Sequence, residues 1–125
     1  MSEEVGANAD DYALLDAGKG RRLERFGSVR VDRSAPMATG ARGLSSQAWS
    51  SDLYYDLEKN SWRGTPPANW RVRFGPVTFS LAPLAQGQIG IFPEQAQNWA
   101  WLRNTLAAAA RPLSVLNLFG YTGGS

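Results

Sequence analysis

The sequence predicts an α+β fold: a small β-rich N-terminal domain, then one helix, then the first strand of a doubly wound sheet that stops short. Three observations carry this. Apolar and polar residues alternate in SVRVDR and again from Val72 to Leu81, the period of a half-buried strand. Between Pro93 and Arg111 the apolar positions change to helical spacing. An unbroken apolar strand, Ser114 to Leu118, then runs into a glycine-rich turn.

Taken in order, residues 1–11 are small and polar and read as a disordered tail. The β-rich domain is expected over 12–92. Tyr12 to Asp16 is a short apolar run and Gly18-Lys19-Gly20 a turn. Arg21 to Phe26 follows with Leu23 and Phe26 as its apolar positions, and Val29 and Val31 alternate with polar residues, giving a small antiparallel meander. Residues 34–48, rich in Ala, Gly, Ser and Thr, read as loop. The stretch Trp49 to Trp62 mixes aromatic and acidic residues and its type stays open. Gly64-Thr65-Pro66-Pro67 is a break. A hairpin follows, with Val72 and Phe74 on one arm, Gly75-Pro76 at the turn and Val77, Phe79 and Leu81 on the other. A short strand is expected from Ile89 to Phe92.

Residues 93–125 begin a second domain. Pro93 opens a helix, where its missing N–H does no harm, and Glu94 lies in the first turn near the positive end of the dipole. Gln95, Trp99, Leu102, Leu106 and Ala109 share one face, and Arg111-Pro112 stops the helix.

Composition bounds the function. The 125 residues are 43% hydrophobic and 19% charged, which is ordinary for a globular chain and argues against global disorder. The start is acidic and polar with no apolar run behind it, so neither a signal peptide nor a membrane span is legible and a cytoplasmic location is expected. There is no cysteine and no histidine, which removes disulfides, thiolate zinc sites and thiol nucleophiles from this segment. Residues 1–59 carry 8 Lys/Arg against 10 Asp/Glu, whereas residues 60–125 carry five arginines against Glu94 alone. A mildly basic second half suits contact with a polyanion, and equally a solvated surface.

The ending holds the most specific signal. A buried strand that delivers a glycine turn to the edge of a sheet is how a doubly wound fold begins a nucleotide site. A P-loop does not fit, because no Gly-Lys-Ser/Thr is present, and neither does Gly-x-Gly-x-x-Gly. A simple glycine-rich tail remains the alternative. The longer string Val115-Leu116-Asn117-Leu118-Phe119-Gly120-Tyr121-Thr122-Gly123-Gly124-Ser125 resembles motif I of the class I S-adenosylmethionine-dependent methyltransferases that modify large-subunit ribosomal RNA, the cytosine-5 type and its relatives. Gly90-Ile91-Phe92-Pro93-Glu94-Gln95-Ala96-Gln97-Asn98-Trp99 is similar to their segment before motif I. Tyr12 to Gly27 resembles the start of a branch that lacks a PUA domain.

The resemblance implies a truncated Rossmann-like methyltransferase domain over 93–125, with S-adenosyl-L-methionine as cofactor and ribosomal RNA as substrate. It implies that Phe119, Tyr121, Thr122, Gly123 and Gly124 surround the cofactor and that Glu94 and Gln95 lie above it. Each has a plainer alternative: Phe119 and Tyr121 as core, Glu94 as a helix-stabilising acid, Trp99 as core on the apolar helix face. Asn117 stands where many class I enzymes carry an acid. The nucleophilic cysteine, the Asp-Pro-Pro-type motif and the ribose-binding acid are not in this segment, so no catalytic residue is assigned. The 125-residue chain alone is therefore expected to be inactive and only marginally stable. The rival reading is a non-catalytic RNA-binding β-domain, in which Arg71 and Arg73 form a basic strand-borne face; solvent-facing strand positions would look the same.

Overall fold

Alternation in the first third of the chain becomes a three-stranded antiparallel meander. The computed structural model describes residues 11–116, and the chain divides into two compact units, Met1–Ile89 and Gly90–Ser125. In the first unit β1 (Tyr12–Gly18), β2 (Arg21–Phe26) and β3 (Val29–Ser34) pair in sequence order. The β1–β2 turn is made by Lys19 and Gly20, both with positive φ (53° and 78°), the handedness a two-residue hairpin loop needs.

The stretch whose type the sequence leaves open, Trp49 to Trp62, supplies two further strands. A single 3-10 turn (Gln47–Trp49) precedes β4 (Leu53–Asp56), which joins β3 in parallel with Val31 opposite Leu53. The three-residue β5 (Ser61–Arg63) then pairs antiparallel with β4 and completes a five-stranded mixed sheet in the order β1-β2-β3-β4-β5. Arg21 clamps the parallel junction. Its guanidinium donates to Asp32 Oδ1 (2.5 Å) and to the carbonyl of Tyr55 (2.7 Å), and it lies 4.2 Å from the Tyr54 ring.

The hairpin expected between Val72 and Leu81 is present as β6 (Arg71–Phe74) and β7 (Val77–Ser80), a separate two-stranded ribbon. Val72 and Phe74 are buried while Arg71 and Arg73 are exposed, as period-2 alternation dictates. The core gathers Phe26, Val29, Val31, Leu53 and Tyr55 from the sheet with Trp70, Val72, Phe74, Leu81 and Ile89. Each large side chain removed from water contributes roughly 1.5–3 kcal/mol. The Trp70 indole meets Phe26 edge-on, with ring centroids 6.2 Å apart, and donates its N–H to the Phe26 carbonyl (3.1 Å).

One charged cluster shares this apolar face. Glu24 follows the parity of Phe26, and Arg33 that of Val29 and Val31. The Glu24 side chain is fully buried, and it accepts hydrogen bonds from Arg33 Nε (2.6 Å), Arg33 Nη2 (3.2 Å) and the Tyr12 hydroxyl (2.8 Å). Arg22 Nε adds an ion pair at 3.2 Å, and Arg33 also donates to the Gly87 carbonyl. Burial, and then the charge of Glu24, push the Tyr12 phenol well above its ordinary pKa. Buried charges persist when they are paired and hydrogen-bonded in this way.

A β-bulge between Leu14 and Asp16 shifts the β1 register. Asp16 then gathers four donors: the backbone N–H of Leu44 (2.8 Å), the Trp49 indole N–H (2.9 Å), and the N–H groups of Gly43 (3.1 Å) and Ala17 (2.9 Å). These donors, that of Leu44 foremost, hold its carboxyl down to about 2 against some desolvation. This carboxylate joins the backbone bonds from Lys19 to Gly40 and from Gly20 to Ala38 in tying down the loop over 35–49.

Two expectations about local structure change. Ile89 to Phe92 is not a strand. Ile89 and Ile91 are buried as alternation requires, but Gly90 turns the backbone to φ 104°, outside any strand conformation. Ser114 to Leu116 makes no ladder pairing among the described residues, and Val115 and Leu116 are 63% and 84% exposed. The rest of that segment, Asn117 and Leu118, lies outside them.

In the second unit a 3-10 turn (Pro93–Gln95) leads directly into α1 (Ala96–Ala108). The helix ends ahead of Arg111-Pro112 at Ala110, which takes a left-handed φ of 56°. No described residue of α1 is buried; Trp99 and Leu102 are half-buried and Leu106 is exposed. No helix of the described residues is long and apolar enough to cross a membrane.

Candidate functional site

Of the residues singled out by sequence, Glu94 and Gln95 fall within the described part; Phe119, Tyr121, Thr122, Gly123 and Gly124 lie outside it. Glu94 and Gln95 owe their place to Pro93. Its ring presets the helical φ of the first turn, while Phe92 before it is extended (φ −114°). The Gln95 N–H donates to the Phe92 carbonyl (3.0 Å), closing the turn. Both side chains are exposed at the start of the helical segment.

Gln95 then joins a groove formed within the second unit. Its Oε1 accepts a hydrogen bond from Asn98 Nδ2 (2.8 Å), one helical turn along the same face. This amide pair forms the polar end of a groove of about 440 Å³. Trp101, Leu102 and Leu106 of α1 and Val115 and Leu116 beyond it form the apolar remainder. That volume lies within the range of small-molecule sites, roughly 300–1,000 Å³. The lining holds no ionisable side chain, and Glu94 is not part of it. Chemically the groove offers amide donors and acceptors at one end and an indole with branched aliphatic side chains along the rest.

The structure therefore brings Gln95 into a concave surface and leaves Glu94 beside it. Asn98 and Trp101 belong to the groove although the expected apolar face passes through Trp99. Reading the stripe as Gln95, Asn98, Leu102 and Leu106, in steps of three, four and four, would have found Asn98, whereas Trp101 lies on the flank of that stripe. Among the described residues no group of three or more His, Cys, Asp or Glu could hold a metal ion.

No protein-family model matches the chain, and no curated protein does. Among solved structures, the chain is similar to the S-adenosylmethionine-dependent methyltransferase of Agrobacterium tumefaciens, with 35% sequence identity and a TM-score of 0.85. The match covers 94% of this chain and 39% of that one, so the chain spans about two fifths of its neighbour's length.

Proposed function

We propose that this chain is the N-terminal part of an S-adenosylmethionine-dependent methyltransferase that acts on ribosomal RNA. The observation that carries the reading is the likeness to the Agrobacterium enzyme, 35% identity at a TM-score of 0.85 across 94% of the chain. Ribosomal RNA as acceptor is a finer statement, supported by the resemblance of residues 90–99 and 115–125 to the enzymes of large-subunit RNA.

The residues present suit the cofactor. The Glu94 carboxylate, exposed in the first turn, is an acceptor for an ammonium or a ribose hydroxyl. The Gln95 carboxamide both donates and accepts, and Asn98 orients it through its oxygen. Gly123 and Gly124, with no Cβ, would let the backbone approach the methionine end, and Thr122 adds a hydroxyl. When bound, S-adenosylmethionine supplies a methyl group on a positively charged sulfur. What the chain contributes is position: sulfonium and acceptor held in line, from which enzymes draw much of their acceleration.

Calorimetry with S-adenosylmethionine tests the reading. The full-length product is expected to bind it, and the 125-residue chain, which spans about two fifths of the neighbour's length, to show no measurable heat. A full-length product that leaves the cofactor untouched overturns the proposal.

A further inference from the structure

We propose that Asn98 is a positioning residue: it fixes the sense of the Gln95 carboxamide, so that Gln95 meets the cofactor as a hydrogen-bond donor. This rests on the reading above for the cofactor and adds which kind of cofactor atom Gln95 recognises.

A carboxamide has two unlike ends, an acceptor oxygen and a donor NH2, and a half-turn exchanges them. An exposed glutamine left to itself presents either end. Gln95 is exposed, yet its oxygen is committed: Oε1 accepts a hydrogen bond from Asn98 Nδ2 at 2.8 Å. What remains for a ligand is Nε2 with its two N–H groups. The helix favours the same sense. Asn98 is the third residue of α1, within the turn whose N–H groups have no partner inside the helix. The Gln95 side chain makes no capping hydrogen bond to that turn. The positive end of the dipole therefore stands open, and it favours an oxygen nearby over a second donor.

The surroundings make the choice of end matter. Gln95 and Asn98 form the polar end of the groove, and the rest of its lining holds no ionisable side chain. Glu94, exposed beside the groove, is an acceptor alone when ionised. Consecutive residues thus offer opposite chemistry: a carboxylate for donor atoms and an amide N–H for acceptor atoms. S-adenosylmethionine carries both kinds, since its ammonium and hydroxyls donate while its carboxylate oxygens and ring nitrogens accept. Asn98 assigns Gln95 to the second kind.

Calorimetry of the full-length product with S-adenosylmethionine and with S-adenosylhomocysteine tests this, on the parent and on three variants at Asn98. N98D is the decisive one. Its carboxylate only accepts, so Gln95 must turn its NH2 toward residue 98 and its oxygen toward the cofactor. An acid in the first turn also stabilises a helix, so N98D is expected to melt no earlier than the parent, and a loss of binding is then not a loss of helix. N98A leaves Gln95 free to turn and is expected to weaken binding of both ligands roughly threefold, against about tenfold or more for N98D, the span of one hydrogen bond's net worth. N98Q keeps a donor within reach of Oε1 and is expected to bind within about twofold of the parent. Binding by N98D as tight as by N98A, or by N98Q as weak, overturns the proposal. So does a loss in N98D confined to S-adenosylmethionine, which would mark added charge acting on the sulfonium. Should N98D melt early, N98A against N98Q carries the comparison. A parent that binds neither ligand overturns the cofactor reading itself.

Discussion

Replacing Glu24 with alanine removes the carboxylate that accepts three hydrogen bonds inside the sheet and leaves Arg33 with its charge. The Arg33 side chain is 6% exposed, and after the change it retains the Gly87 carbonyl and the face of Phe26, 5.7 Å away. Breaking one partner of a buried pair costs about 3–5 kcal/mol, because the surviving charge has neither water nor counter-ion. The first unit has roughly eighty ordered residues, for which a total stability of about 4–12 kcal/mol is ordinary. E24A therefore takes away much of it and lowers the melting temperature by roughly 15 °C or more. Urea unfolding followed through the fluorescence of the buried Trp49 and Trp70 measures this. The decisive arm is E24L/R33M, in which no charge is stranded and which is expected to recover more than half of the loss. A loss below about 1 kcal/mol in E24A, or a double variant no better than the single one, refutes the argument from stranded charge.

Other outcomes follow from the same structure. Asp16 titrates at about 2 when folded and near its ordinary value of 3.8 when unfolded, so its contribution is present above pH 4 and fades as pH falls toward 2. Acid unfolding curves of D16N are expected to lack that part of the drop, and identical pH dependence in the two proteins would contradict it. The Tyr12 phenol is raised in the folded state, so its contribution is intact below pH 10 and declines as pH rises further and the unfolded chain ionises. Alkaline melts should show a shallower decline for Y12F than for the parent. Gly64 has φ 96°, and a Cβ there would fall inside the van der Waals envelope of the Asp52 carbonyl oxygen. G64A should cost at least about 2 kcal/mol, and a denaturant midpoint unchanged from the parent would show that this contact is not present in solution.

The elements legible in the sequence were those whose signal is local. The alternation of Val72 and Phe74 against Val77, Phe79 and Leu81 is complete within a hairpin, and both arms form. Pro93 and Arg111-Pro112 bracket the helix, and it forms between them. The strands from Leu53 to Arg63 were harder to see because both are short and the pairing of β4 with β3 is non-local. β4 has four residues, and it is held by a parallel contact with β3 and by the Arg21 clamp, none of which a window along the chain displays. No sequence signal singles out Glu24 and Arg33 except their parity with Phe26, Val29 and Val31; each makes the other's burial possible. Ile89 and Ile91 show the converse, alternation and burial without a ladder, because Gly90 bends the chain between them. Of the candidate site, Gln95 was found through its place after Pro93. Trp101 was missed because it lies on the flank of the helical stripe, one position before Leu102.

Incubating the full-length product with methyl-labelled cofactor and ribosomal RNA shows whether a methyl group passes from S-adenosylmethionine to the RNA. Label is expected in the RNA, and it is expected to be lost when Gly123 and Gly124 are both replaced by valine. Unlabelled RNA after incubation with a folded, cofactor-bound protein would contradict it.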